Sequence, residues 1–123
     1  MVLDYTRQVE RVRLGKHPSK LLMQVTNYVQ HNFSKPIDID ALAKSMYISR
    51  TYLAAKFKQE TGMTLTDFIL KEKIEEAKRL LQYTDKSLSL ISDYLGFSSQ
   101  SHFTKTFKKY CGKTPKEYRE NNN

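Results

Sequence analysis

The chain has 123 residues and carries 21 Lys and Arg against 13 Asp and Glu, a formal charge of +8. A single cysteine, Cys111, excludes an internal disulfide and any multi-cysteine metal site; no apolar run reaches the roughly 18 residues that span a bilayer, and no apolar segment follows the first charges as in a signal peptide. The expectation is a cytoplasmic chain, not bound to membrane by a span, whose excess positive charge seeks a polyanion: DNA, RNA or an anionic surface.

With four Gly, three Pro and no regular alternation of Val, Ile and Thr, the sequence reads as all-α, one domain or two very small ones. Residues 1–18, MVLDYTRQVERVRLGKHP, read as a linker or tail, and Arg7, Arg11, Arg13 and Lys16 as its solvated charges. Ser19 or Lys20 opens a first helix in which Leu22, Val25, Val29 and Phe33 keep helical spacing. Pro36 ends it, because the residue before proline is pushed out of the α region. Asp38 caps a short helix, DIDALAKSMY, with Leu42, Ala43 and Met46 inward. After a tight Tyr47-Ile48 connection, Ser49 caps SRTYLAAKFKQETG, which Gly62 stops. Leu53 and Phe57 form its buried face; Arg50, Thr51, Ala54, Ala55 and Lys58 lie outside.

Thr64-Leu-Thr-Asp67 is a capping-box start for the longest helix, about 65–83, with Phe68, Ile69, Ile74, Ala77, Leu80 and Leu81 on its apolar side. Its charges cancel, with Asp67–Lys71 and Glu75–Arg79 at ion-pair spacing, so it reads as a spacer. Ser87 caps SLSLISDYLG with Leu88, Ile91 and Leu95 inward, and Gly96 supplies a turn residue that tolerates positive φ. In the stretch that follows, Phe103, Phe107 and Tyr110 make one apolar stripe, opposite Gln100, Ser101, Thr104, Lys105 and Lys108. Six basic residues against one acid give 98–119 a net charge of +5. Gly112 stops this helix, and Thr114-Pro115-Lys116-Glu117 starts a last one that carries Tyr118 back towards the core.

A unit of short helix, tight turn and second helix occurs twice. At an offset of 50, Leu53 meets Phe103, Phe57 meets Phe107, Lys58 meets Lys108, Gly62 meets Gly112, Thr64 meets Thr114 and Phe68 meets Tyr118. Upstream the offset is 49, pairing Leu42 with Ile91, Met46 with Leu95 and Ile48 with Phe97, so the second turn holds one extra residue. The chain divides into a tail at 1–18, a helix-turn-helix subdomain at 19–63, a connecting helix at 64–83 and a second such subdomain at 84–123. About seven helices result. A spacer of about 18 residues spans roughly 27 Å, compatible with recognition helices at 49–61 and 99–111 entering successive major grooves about 34 Å apart.

In such a unit the second helix lies in the groove with its N-terminal half against base edges. That selects Arg50, Thr51, Ala54 and Ala55 in the first copy and Gln100, Ser101 and Lys105 in the second. Gln bonds adenine bidentately and Arg or Lys reaches guanine, whereas Thr and Ala offer thymine a methyl contact. The first copy is therefore the weaker base reader. Lys58 and Lys108 are placed for phosphates, as are Thr104 at the groove edge and Ser49, Ser98 and Ser99, which capping alone explains as well. Phe57, Phe97, Phe103 and Phe107 read as core, His102 as a helix-surface residue, and Cys111 as a small buried apolar side chain at a helix end. His17 and His31 have no partner at metal spacing, so neither metal nor cofactor is expected. No nucleophile triad, paired carboxylates or Gly-rich phosphate loop stands out, and the expected class is a non-enzyme. A basic protein-interaction module and a non-specific architectural DNA binder are the alternatives these residues leave open.

From about Lys20 to Arg119 the chain resembles the DNA-binding domain of the AraC/XylS family of bacterial transcription regulators. The resemblance lies in IDIDALAKSMYISRTYLAAKFKQETG, in KIEEAKRLL, and in ISDYLGFSSQSHFTKTFKKYCGKTPKEYR, where GF, F-x-x-x-FK and G-x-TP-x-x-YR keep the family's spacing. It implies seven helices, two helix-turn-helix units on a long connecting helix, and binding to double-stranded promoter DNA. It also implies transcriptional activation through RNA polymerase, and an effector or receiver domain in a longer parent chain, since residues 1–18 cannot hold one. Tyr47 departs from the family, standing where many relatives carry Gly.

Overall fold

A computed structural model describes residues 19–121; the expected tail at 1–18 lies outside the described residues. Seven helices follow one another: α1 (Lys20–Gln30), α2 (Ile39–Ser45), α3 (Arg50–Thr61), α4 (Leu65–Tyr83), α5 (Leu88–Tyr94), α6 (Gln100–Cys111) and α7 (Pro115–Asn121). No strand occurs among the described residues, and none of their helices is long and apolar enough to cross a membrane.

Local chemistry sets nearly every boundary. Ser19, Asp38, Ser49, Thr64, Ser87 and Ser99 each accept a backbone N–H with a side-chain oxygen at the head of a helix, giving a partner to one of the four donors a helix start leaves free. Thr114 and Glu117 form the reciprocal version at α7, with Glu117 Oε1 accepting from Thr114 N at 2.9 Å and Thr114 Oγ1 from Glu117 N at 3.1 Å. The Thr114 backbone N–H, and after it the Thr114 hydroxyl, hold the Glu117 carboxyl below the usual carboxylate range.

The first helix ends earlier than its apolar spacing and Pro36 suggest. His31 Nδ1 lies 2.8 Å from Asn27 O, and Asn32 Nδ2 donates to Tyr28 O at 2.7 Å. These groups occupy the last carbonyls and stop α1 at Gln30, six residues before Pro36. Phe33 thereby leaves the helix and packs, from the loop, against both cores.

One core holds Val25, Val29, Leu42, Ala43, Leu53, Phe57, Leu65, Phe68 and Ile69; the other holds Ile74, Ala77, Leu81, Ile91, Leu95, Phe97, Phe103 and Phe107. Helix α4 gives its first half to one and its second half to the other, which makes it the shared beam of two helix-turn-helix units. The repeat seen in the sequence persists atom by atom. Phe57 packs edge-on against Phe68 with centroids 5.1 Å apart, and their counterparts Phe107 and Tyr118 do the same at 5.5 Å. Ile48 N donates to Ala43 O and Phe97 N to Ser92 O, both at 3.1 Å.

The two turns share one backbone shape with different residues. Tyr47 has φ +60°, and its counterpart Gly96 has φ +75°. A non-glycine residue in this region is strained by about 1–2 kcal/mol, and the Tyr47 side chain, 95 % exposed, gains little burial in return. Tyr47→Gly relieves that strain while adding roughly 0.5–1 kcal/mol of unfolded-chain entropy. The expected net is a small gain in stability, seen as a Tm raised by a few degrees; an unchanged or lowered Tm would show that Tyr47 makes a stabilising contact.

Several charges sit elsewhere than expected. In α4, Lys78 pairs with Glu75 and Arg79 with Glu76, both at i,i+3, with N···O distances of 3.1 Å for the first and 2.9 Å from Arg79 Nε. Lys73 is buried. Arg119, counted with the basic face of the C-terminal stretch, instead turns inward. Its Nε donates to Leu81 O at 3.0 Å and its Nη2 to Thr84 O at 3.1 Å, tying α7 to the end of α4.

Candidate nucleic-acid interface

Each core faces α3 or α6 with one side of that helix, and the opposite side is left to solvent. On α3, Leu53 and Phe57 are fully buried, while Arg50, Thr51, Ala54, Ala55, Lys58 and Gln59 are exposed. A shallow open concavity follows Ala54 and Ala55 along the helix to Thr64 and Leu65. On α6, Phe103 and Phe107 are fully buried. Gln100, Ser101, Lys105, Lys108 and Lys109 are exposed and Thr104 is half-buried at the edge. The expected contact residues thus lie on two outward faces, one per unit, with no side chain shared between them.

Ser49 and Ser99 spend their hydroxyl oxygens as caps, accepting from Tyr52 N and His102 N at 3.0 Å each. Both serines remain exposed, and a capping hydroxyl keeps its own O–H to donate to a phosphate. Thr64 caps α4 in the same way through Asp67 N at 3.1 Å.

Electrostatics separate the two faces. On α6 the first turn carries no acid, and Lys109 Nζ lies 5.5 Å from the Tyr110 ring centroid. On α3 the Arg50 guanidinium donates from Nη1 to Asp40 Oδ2 of α2 at 3.3 Å, an exposed pair. Asp40 is a residue the sequence reading missed as part of this surface. Its signal was the second acid in the first turn of α2, where Ser89 of α5 holds the matching place in the second unit. Gln59 was also missed, four residues beyond Ala55 on the same face. Among the described residues no group of His, Cys, Asp and Glu is arranged to hold a metal.

Known proteins resemble the chain in sequence and in fold. A family profile described as a helix-turn-helix domain matches residues 42–121. The chain is 38 % identical over 101 residues to the xylose operon regulatory protein of Escherichia coli strain K12, an overlap covering 82 % of this chain and 26 % of that protein. It therefore spans about a quarter of the length of that curated relative. An AraC-type DNA-binding domain-containing regulator from Chromobacterium violaceum superposes with a TM-score of 0.78 at 31 % identity, covering 83 % of this chain and 91 % of that one. The DNA-binding domain of AdpA, solved in complex with a target DNA, superposes with a TM-score of 0.76 at 25 % identity, covering 85 % and 93 %. The profile match over two units of identical backbone design, each with an exposed polar helix face, shows that the chain belongs to the AraC family of helix-turn-helix transcription regulators and carries that family's DNA-binding domain.

Proposed function

We propose that the chain reads a bipartite site in double-stranded promoter DNA, with α3 and α6 in successive major grooves, and that the output is activation through contact with RNA polymerase. The observation that carries this is the duplicated presentation of α3 and α6: equal length, equal caps, equal stop, and one free face each. Arg50, Thr51, Ala54 and Ala55 meet base edges in one half-site, and Gln100, Ser101 and Lys105 in the other. Ser49, Lys58, Ser99, Thr104 and Lys108 bond phosphates and set the register. Residues 19–63 form one reader, 64–83 the beam and 84–123 the other, following the two cores at either end of α4. The chain acts by binding, without a catalytic step, in the cytoplasm, under an effector or receiver domain of a longer parent chain; its span of 26 % of the xylose regulator supports that last point.

Selection from random duplexes tests the reading. The expected product is a consensus of two half-sites about one helical turn apart; recovery of no consensus from a chain that still binds DNA would make it a non-specific architectural binder. Lys108→Ala should lower affinity on every duplex alike and reduce the salt slope by about one unit. A loss confined to the selected site would move Lys108 among the base readers.

A further inference from the structure

A lysine within a long helix ordinarily keeps its ammonium in water. Lys73, in the middle of α4, is only 5 % exposed. Its Nζ donates to Leu95 O at 2.7 Å and lies 5.6 Å from the centroid of the Phe97 ring. Burial holds its pKa below the ordinary lysine value. Leu95 and Phe97 flank Gly96, the left-handed residue in the turn of the second unit.

The backbone at Gly96 is closely surrounded. A Cβ placed there would stand 3.2 Å from Lys73 Nζ and also 3.2 Å from the carbonyl oxygens of Phe33 and of Lys35. Those carbonyls belong to the loop between α1 and α2, in the first unit. The Phe33 side chain reaches both cores. One ammonium therefore sits where the beam, the turn of the second unit and the loop of the first converge. The matching turn in the first unit is different, for Tyr47 is 95 % exposed there.

We propose that Lys73 is the joint that fixes the two recognition helices at one spacing and rotation, a positioning residue for DNA reading that itself touches no DNA. This rests on the bipartite reading proposed above. An apolar side chain of the same length would fill the space, but a charged donor in a low-dielectric site is directional and holds its acceptor in one place. Retaining a buried ion for geometric definition has precedent in other folds. With the joint intact, the two readers move as one body. A duplex that displaces one half-site by a base pair, about 3.4 Å along the axis, should then lose one set of contacts.

The test uses the full chain and a duplex recovered by selection, resynthesised with zero to five base pairs inserted between its half-sites. For the unaltered chain, the first insertion is expected to weaken binding at least tenfold, a drop that the loss of one good base contact already gives. For Lys73→Met the affinity on the original duplex falls, and the penalty per insertion shrinks to less than about threefold, because loosened readers can follow the displaced site. A Lys73→Met profile parallel to that of the unaltered chain, displaced or not, would overturn the proposal. So would a flat profile in the unaltered chain. Should Lys73→Met fail to fold by circular dichroism, Phe33→Leu loosens the same junction from the other side, and the same two outcomes decide. Failure of the DNA-reading assignment is separate, because the selection would then yield no preferred duplex on which to insert anything.

Discussion

Phe107→Ala is expected to destabilise the chain by about 3–5 kcal/mol, the usual loss for truncating a buried aromatic. Phe107 has no exposed surface. It packs against Phe103 at 5.9 Å and against Tyr118 at 5.5 Å between centroids, edge-on in both cases. Neither neighbour can move into the gap easily. Phe103 is held by Phe97 at 5.3 Å, and Tyr118 rides on α7, which Arg119 ties to the carbonyls of Leu81 and Thr84. The cavity therefore persists, and its term adds to the lost transfer energy. At this chain size each kcal/mol lowers Tm by about 4 °C, so thermal denaturation followed by circular dichroism reads the effect directly. A loss under about 2 kcal/mol would show that α7 collapses onto the vacancy, and that the ties through Arg119 are weaker than their geometry implies.

Phe107 was legible because it sits in a pattern that repeats. Core, stop and cap positions of 49–68 and 98–118 agree together, and each reflects a local preference: apolar spacing, left-handed glycine, hydroxyl at the helix head. Local preferences survive in one dimension. What escaped depends on the third. The end of α1 was missed because Asn32 and His31 bond carbonyls one turn back, a competition that apolar spacing does not register. Lys73 read as one of the cancelling charges of a solvated spacer, and nothing in its neighbours along the chain reveals that Leu95, 22 residues away, supplies its acceptor. Arg119 likewise counted as surface charge because its partners, Leu81 and Thr84, lie more than 30 residues upstream. The outward faces of α3 and α6 were legible as faces, since helical geometry alone divides inward from outward residues. The Asp40–Arg50 pair was not, because it joins two helices.

That pair bears on the largest functional effect expected here. Lys105→Ala should weaken binding to the selected duplex by about 1–3 kcal/mol, or about fivefold to 150-fold, while non-specific binding falls less. Lys105 is exposed on the outward face of α6, five residues into the helix, where the proposed reading sets it against guanine acceptors. Gln100→Ala should cost a similar amount at an adenine position. Arg50→Ala should cost less than either. In the free chain the Arg50 guanidinium already holds Asp40 Oδ2 at 3.3 Å, so reaching a guanine means exchanging one carboxylate bond for base acceptors. The exchanged pair is exposed and worth about 0–1 kcal/mol, and the net gain on DNA shrinks by that amount. Asp40→Ala separates this account from a simple difference in helix depth. It frees Arg50 and removes an anion from beside the duplex, so affinity should rise by a few-fold on every sequence, more at low salt where the like-charge repulsion is least screened. Competition binding with selected and random duplexes at two salt concentrations measures all four variants. If Arg50→Ala proves as damaging as Lys105→Ala, and Asp40→Ala leaves affinity unchanged or lower, then Asp40 orients Arg50 for reading and the first unit discriminates as strongly as the second.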